Sequence, residues 1–194
     1  MADTNLTIEQ IETLIVGFVD SPFYIRKYNV VPNVSWGLLN HEADLLALSR
    51  SGYLTEIEIK RSWEDFKADF KKSHTHDSPF INRLYYAVPE SIGEKVFNFL
   101  YEGKYQGGKW LHYTRSKVTG YTENNPHMCG LILYADCDLS HPMGNVGINV
   151  LAKKMNGKEL SIYDQLSLLR LGNMRVWNLK KKFAKYQAEH SLFK

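Results

Sequence analysis

The sequence predicts an α/β fold, a mixed sheet flanked by helices, on three observations. Leu54-Thr55-Glu56-Ile57-Glu58-Ile59-Lys60 alternates apolar and charged residues with period two, as a strand does. Met128 to Tyr134 and Val146 to Leu151 are apolar runs of the kind found in buried sheet strands. Around these lie segments with apolar residues at spacings of three and four, opened by capping residues. The 194 residues fit one domain, 1–194, that buries about 70% of its unfolded surface, so folding needs neither metal nor disulfide.

In chain order, Thr7 opens a helix with Gln10 completing a capping box. Ile8, Ile11, Leu14, Ile15, Phe18 and Val19 form its apolar face, and it is expected to end near Asp20-Ser21-Pro22. Residues 23–33 read as an irregular or strand-like entry, and Val34 to Leu39 as a further strand. Asp44 to Leu48 is a short strand joined through Ser51-Gly52 to the alternating strand, so the two make a hairpin. Ser62, paired with Asp65, caps the next helix, which buries Trp63, Phe66 and Phe70. Arg83 to Val88 is a strand stopped by Pro89, and Ile92 to Tyr101 an amphipathic helix. Residues 102–127 are rich in glycine and aromatics, with Lys109, Arg115 and Lys117 interleaved. Such a stretch either stacks on unpaired bases or folds its aromatics into the core. Ser161 with Asp164 caps a last helix, interrupted by Gly172-Asn173. Beyond the break Met174, Trp177 and Phe183 are expected to face the core, with Lys180, Lys181, Lys182 and Lys185 outward.

Composition narrows the function classes. A hydrophobic fraction of 44% with 23% charged residues is ordinary for a folded soluble protein. No apolar run approaches the roughly 20 residues of a membrane span, and MADTNLTIEQ has neither a basic nor an apolar leader region, so a cytoplasmic protein without membrane contact is expected. Cys129 and Cys137 lack the spacing of a zinc site and read as reduced structural residues. The sequon Asn33-Val34-Ser35 then has no role. Charge is uneven: residues 150–194 hold 10 Lys and Arg against 3 Asp and Glu, the remainder 14 against 18. A basic helical C-terminal segment, about 160–194 and including Lys180, Lys181 and Lys182, therefore follows an acidic body. It reads as a nucleic-acid surface or as a solvated helix face.

The chemistry concentrates between residues 44 and 72. On the alternating strand Glu56, Glu58 and Lys60 share a face, and hairpin pairing brings Asp44 beside Glu58. Two converging carboxylates repel unless a cation or proton lies between them, and hard oxygen donors favour Mg²⁺ or Mn²⁺. Lys60 on the same face is placed to orient a water or offset charge on a phosphate. Asp65 and Asp69, four apart, repel each other unless a cation such as Lys72 is near. The segment Ser73-His74-Thr75-His76-Asp77 offers two imidazoles and a carboxylate, but on a loop without fixed geometry it reads as solvated surface.

Asp44 followed by Glu58-Ile59-Lys60 resembles the D…(D/E)-x-K signature of the PD-(D/E)XK nuclease superfamily. The surrounding words Ala43-Asp44-Leu45-Leu46-Ala47-Leu48, Glu58-Ile59-Lys60-Arg61-Ser62, Asp65-Phe66-Lys67-Ala68-Asp69 and Arg83-Leu84-Tyr85-Tyr86-Ala87-Val88-Pro89 resemble its MmcB-related branch, associated with DNA repair. The likeness spans about residues 36 to 90 and, more loosely, Gly130-Leu131-Ile132 with the strand after it. It implies a restriction-endonuclease-like core, DNA as partner, and hydrolysis of phosphodiesters with Mg²⁺ or Mn²⁺. Asp44, Glu58 and Lys60 would be catalytic, and Asp44, Glu58 and the backbone carbonyl of Ile59 would hold the metal. The resemblance also implies a carboxylate from the first helix, for which Glu12 is better placed than Glu9, and supporting roles for Ser62, Asp65 and Asp69. Glu42 stands where that branch carries arginine, and Glu56, a further possible ligand, where it carries an apolar residue. A DNA-binding repair scaffold that retains the fold without catalysis is the alternative function.

Overall fold

The computed structural model describes residues 3–35, 37, 39–72, 76, 78–104, 121–139 and 145–191. Helix α1 (Ile8–Val16) starts where expected: Thr7 accepts from the Gln10 N–H while the Gln10 side chain accepts from the Thr7 N–H. It ends at Gly17, a turn earlier than the sequence suggested, where Ser21 Oγ takes over hydrogen bonding to the Leu14 carbonyl and the Phe18 N–H. Strands β1 (Asn29–Val34), β2 (Ala43–Leu48) and β3 (Leu54–Ile59) follow as an antiparallel meander. The strand expected over Val34 to Leu39 instead lies earlier, as β1. Its Pro32 is tolerated because β1 is an edge of the sheet. Gly52, at φ +78°, makes the left-handed turn between β2 and β3.

Beyond β3, helix α2 (Trp63–Asp69) crosses to β4 (Ile81–Pro89), which pairs parallel with β3. Helix α3 (Gly93–Leu100) follows, then a small antiparallel pair, β5 (Glu102–Lys104) and β6 (Tyr121–Asn124). Strand β7 (Gly130–Tyr134) pairs parallel with β4, and β8 (Val146–Val150) antiparallel with β7. The main sheet thus has six strands in the order β1-β2-β3-β4-β7-β8, parallel at its centre and antiparallel at both edges. On one face, α1 packs Ile11, Leu14 and Ile15 against Leu45, Ile57, Tyr85, Ile132 and Tyr134. On the other, Phe66 of α2 and Val96, Phe97 and Leu100 of α3 cover Leu84, Tyr86, Leu131 and Leu133. Glycine is required in β7, because a Cβ on Gly130 would stand 2.3 Å from the Tyr85 ring.

Helix α4 (Ile162–Ser191) corrects two expectations. Gly172-Asn173 does not interrupt it: Gly172 lies against β1, and a Cβ there would stand 3.2 Å from Val31 Cγ2. The glycine thus serves contact rather than a break. Met174, Trp177 and Phe183 do not face the core either, Trp177 and Phe183 each being 61% exposed. Leu168 is the buried anchor of α4 beside Val31, Leu46 and Leu160. The Arg175 guanidinium reaches the Asn33 carbonyl, and residues 176–190 are exposed throughout. Among the described residues no helix is long and apolar enough to cross a membrane, and both cysteines are free thiols, Cys129 buried.

Candidate active site

The site lies where β2, β3 and α2 meet. Leu45 pairs with Ile57 and Leu46 with Glu56, so the two strands run in register toward Asp44 and Glu58 at the same sheet end. The Asp44 N–H approaches Glu58 Oε1 at 3.4 Å, while the Asp44 carboxylate turns back along β3 and accepts the Ile59 N–H at 2.7 Å. Alternation puts Glu56 and Glu58 on the face of Leu84 and Tyr86, their β4 partners. That face is covered by α2 and α3, so Glu56, Glu58 and Lys60 are all buried rather than solvated.

Burial forces the charges to find one another. The Lys60 ammonium donates to Glu58 Oε2 at 2.9 Å and to Asp69 Oδ1 at 3.0 Å. Asp69, in the last turn of α2, also accepts from Lys72 at 2.6 Å and from the Tyr86 hydroxyl at 3.1 Å. His76 Nε2 lies 2.7 Å from Asp69 Oδ2, and His76 Nδ1 lies 2.8 Å from Glu56 Oε1. His41 Nε2 meets the same Glu56 oxygen at 2.5 Å. A continuous polar network therefore runs from His41 through Glu56, His76 and Asp69 to Lys60 and Glu58.

The environment splits the acids into two groups. Burial pushes the Glu58 carboxyl up to about 7, the neighbouring Asp44 and Glu56 charges adding to it against the pull of Lys60. Asp44 is raised too, chiefly by burial and partly offset by the Ile59 N–H. Glu12 on α1 is pushed up to about 7 by burial, then by Glu9 and Asp44, and its Oε1 is buried without a hydrogen-bond partner among the described residues. Burial would raise Asp69 and Glu56 as well, but there the donors win. His76, Lys72 and Lys60 hold Asp69 well below the carboxylate range, and His41 with His76 lowers Glu56. Burial alone would lower His76; Asp69 and Glu56 raise it to about 10. Lys60, between two carboxylates, is held above its ordinary range despite burial.

The structure thus joins Glu58, Lys60 and Asp69 directly and sets Asp44 across the strand pair from Glu58. Glu12 makes no hydrogen bond to any of them among the described residues. Ser62 and Asp65 work as a helix start: Ser62 Oγ accepts the Asp65 N–H at 3.2 Å, and Asp65 accepts the Arg61 N–H at 3.3 Å. Lys180, Lys181 and Lys182 are exposed on α4, Lys180 lying 4.9 Å from the Trp177 ring. Arg115 and Lys117 lie outside the described residues. His76 corrects the reading of residues 73–77 as solvated surface, because it points inward between Glu56 and Asp69; His74, Thr75 and Asp77 lie outside the described residues. His41 was missed altogether. One imidazole thirty-five residues from another carries no periodic signal, and only the tertiary fold brings the two together.

As to a metal, the oxygen set of Asp44, Glu58 and the Ile59 carbonyl has the hard character that Mg²⁺ or Mn²⁺ prefers. Its two carboxyls are raised by burial, the electrostatic condition that a bound cation relieves. The donor set therefore fits such an ion.

The chain thus carries a buried acid-base cluster at one end of a mixed six-stranded sheet, with a cationic helix following. Comparison with known proteins finds a likeness over part of the chain. A family described as DNA repair protein MmcB-like matches residues 23–99, which contain β1 through most of α3 and the whole cluster except Glu12. A solved structure of a protein of unknown function from Silicibacter pomeroyi is similar in fold, at a TM-score of 0.51 and 15% identity over 96% of this chain and 93% of that one. No curated protein matches.

Proposed function

We propose that this protein is a divalent-metal-dependent nuclease that hydrolyses DNA phosphodiesters in repair, on a restriction-endonuclease-like core. The observation that carries this reading is the placement of Asp44, Glu58 and Lys60 at one sheet end, two carboxylates raised by burial beside a fully charged lysine. The repair context comes from the MmcB-like match over residues 23–99. Asp44 and Glu58, with the Ile59 carbonyl, would hold Mg²⁺ or Mn²⁺, and Glu12 would supply a further carboxylate from α1. Such an ion supplies a water of lowered pKa and offsets charge on the phosphate.

The remaining steps belong to the chain. Lys60 is protonated and so cannot be a ligand; its N–H bonds orient the attacking water and meet the developing phosphate charge. Asp69 shares that ammonium and fixes its direction, while Lys72, Tyr86 and His76 in turn fix Asp69. The exposed lysines of α4 would bind the phosphate backbone.

One observation favours a second reading, a non-catalytic DNA-binding scaffold. Lys60 is bonded to two carboxylates at once, and Lys72 and His76 also pair with Asp69, so the buried acids have cationic partners within the chain and the cluster stabilises the fold without substrate. The two readings separate when single-stranded, duplex and branched DNA are each incubated with the protein in Mg²⁺ or Mn²⁺. Cleavage that stops on chelation supports the nuclease; binding of DNA without cleavage of any of the three supports the scaffold.

A further inference from the structure

Glu56 and His41 have no part in the hydrolytic scheme, and His76 enters it only through the bond of its Nε2 to Asp69. The Glu56 side chain is 0% exposed, on a central strand, where a carboxylate is costly without a cation or several donors. His41 Nε2 and His76 Nδ1 converge on one of its oxygens, Oε1, at 2.5 and 2.8 Å, with the two rings 4.9 Å apart and nearly perpendicular. The other oxygen, Oε2, is buried and has no hydrogen-bond partner among the described residues.

The far nitrogens of both rings are also engaged. His41 Nδ1 lies 2.8 Å from Asn40 Oδ1, and His76 Nε2 lies 2.7 Å from Asp69 Oδ2. An imidazole that donates its far N–H to an oxygen presents, when neutral, a bare lone pair on the near nitrogen. Here both near nitrogens point at Glu56 Oε1, and an ion bound among them would replace the proton that His76 Nδ1 donates to that oxygen. Proteins fix metal-binding histidines in this way, with an outer oxygen holding the tautomer and the ring plane.

We infer that His41 Nε2, His76 Nδ1 and the Glu56 carboxylate form a binding site for a borderline transition-metal ion of the zinc class, separate from the oxygen set at Asp44 and Glu58. The three ligand atoms lie within 4.8 Å of one another. Tetrahedral ligands about 2.0–2.1 Å from zinc are separated by about 3.3 Å, so each imidazole nitrogen needs to draw back from Glu56 Oε1 by less than about 1 Å. Two nitrogens and one oxygen select Zn²⁺, Co²⁺ or Ni²⁺ over Mg²⁺. Three protein ligands leave a fourth position for water or another donor. The ion would tie the segment before β2 and the residue beyond α2 to β3, and through His76 and Asp69 it would brace Lys60.

Calorimetric titration of the full chain with ZnCl₂ in excess Mg²⁺ tests the site. One equivalent of Zn²⁺ is expected to bind. His41→Ala should weaken it roughly 100-fold, and Asn40→Ala, which removes only the outer oxygen, about tenfold. Asp44→Asn should leave zinc affinity unchanged, which keeps the result independent of the hydrolytic reading. Because a ligand variant can fail to fold, ¹⁵N spectra of the histidine rings in the unsubstituted protein provide a second readout. With zinc, His41 Nε2 and His76 Nδ1 should take on metal-bound shifts while His41 Nδ1 and His76 Nε2 keep their protons. No zinc binding overturns the inference. So does binding indifferent to both His41→Ala and Asn40→Ala, or rings that stay doubly protonated in zinc and merely clamp Glu56 as cations.

Discussion

Glu58 shows how burial changes the meaning of a sequence pattern. Period-two alternation identified the shared face of Glu56, Glu58 and Lys60, and hairpin spacing brought Asp44 near them. What the pattern did not reveal is that this face is interior, because strand β4 pairs with β3 and α2 closes over it. Asp69 was visible only as one of a repelling helical pair; its bond to Lys60 is a tertiary contact with no periodic signature. The raised Glu58 carboxyl has a pH consequence. Its value moves from 4.5 up to about 7 on folding, so between these pH values the folded state holds a proton that the unfolded chain has released. This group's contribution to stability therefore falls as pH rises through that window, by up to about 3 kcal/mol. Glu58→Gln, which keeps the protonated shape, should flatten that fall in urea unfolding measured across the window. Mn²⁺ has to displace the same proton, so its affinity should rise roughly tenfold per pH unit below 7 and level off above, with proton release seen in calorimetry in buffers of different ionisation enthalpy.

Among the elements, α2 and α4 stand at opposite ends of legibility. The start of α2 was readable because Ser62 and Asp65 have capping spacing, and the Ser62 bond to the Asp65 N–H is present. Ser62→Ala should cost about 1 kcal/mol in thermal or urea unfolding. Mn²⁺ affinity should stay as it was, since Ser62 serves the helix and not the ion. The helical character of α4 was also readable, but its packing was not. Glycine usually marks a helix break, whereas Gly172 lets α4 approach Val31, and the apolar residues past Arg175 stay exposed. The lysines on that exposed half carry a prediction about DNA. Replacing Lys180, Lys181 and Lys182 together by alanine should weaken binding about equally across sequences and lower the salt slope by about 2–3. An unchanged slope would move the DNA surface elsewhere, first to residues 102–127.

For the whole molecule, a mixed sheet with flanking helices followed from the alternating strand, the two apolar runs and the capped helices. The strand order did not. Nothing local to Gly130–Tyr134 says that it pairs with β4 rather than with β8 alone, or that β5 and β6 form a separate pair. Partner choice in a sheet is decided by crossover helices and by which faces they bury, and so it is a property of the assembled chain. That assembly puts Lys60 between Glu58 and Asp69, and removing the ammonium leaves two buried carboxylates facing each other. Lys60→Ala should therefore cost about 3–5 kcal/mol without metal, part of it restored by Mn²⁺. The most direct test of the hydrolytic role sets Lys60→Ala and Glu58→Ala beside the unsubstituted protein, with Mn²⁺ calorimetry and DNA cleavage measured on the same samples. Unsubstituted protein should bind Mn²⁺ and cleave, Lys60→Ala should bind Mn²⁺ and not cleave, and Glu58→Ala should do neither. Unsubstituted protein that binds DNA yet cleaves no substrate with any divalent metal, or a Lys60→Ala variant that cleaves normally, would contradict it.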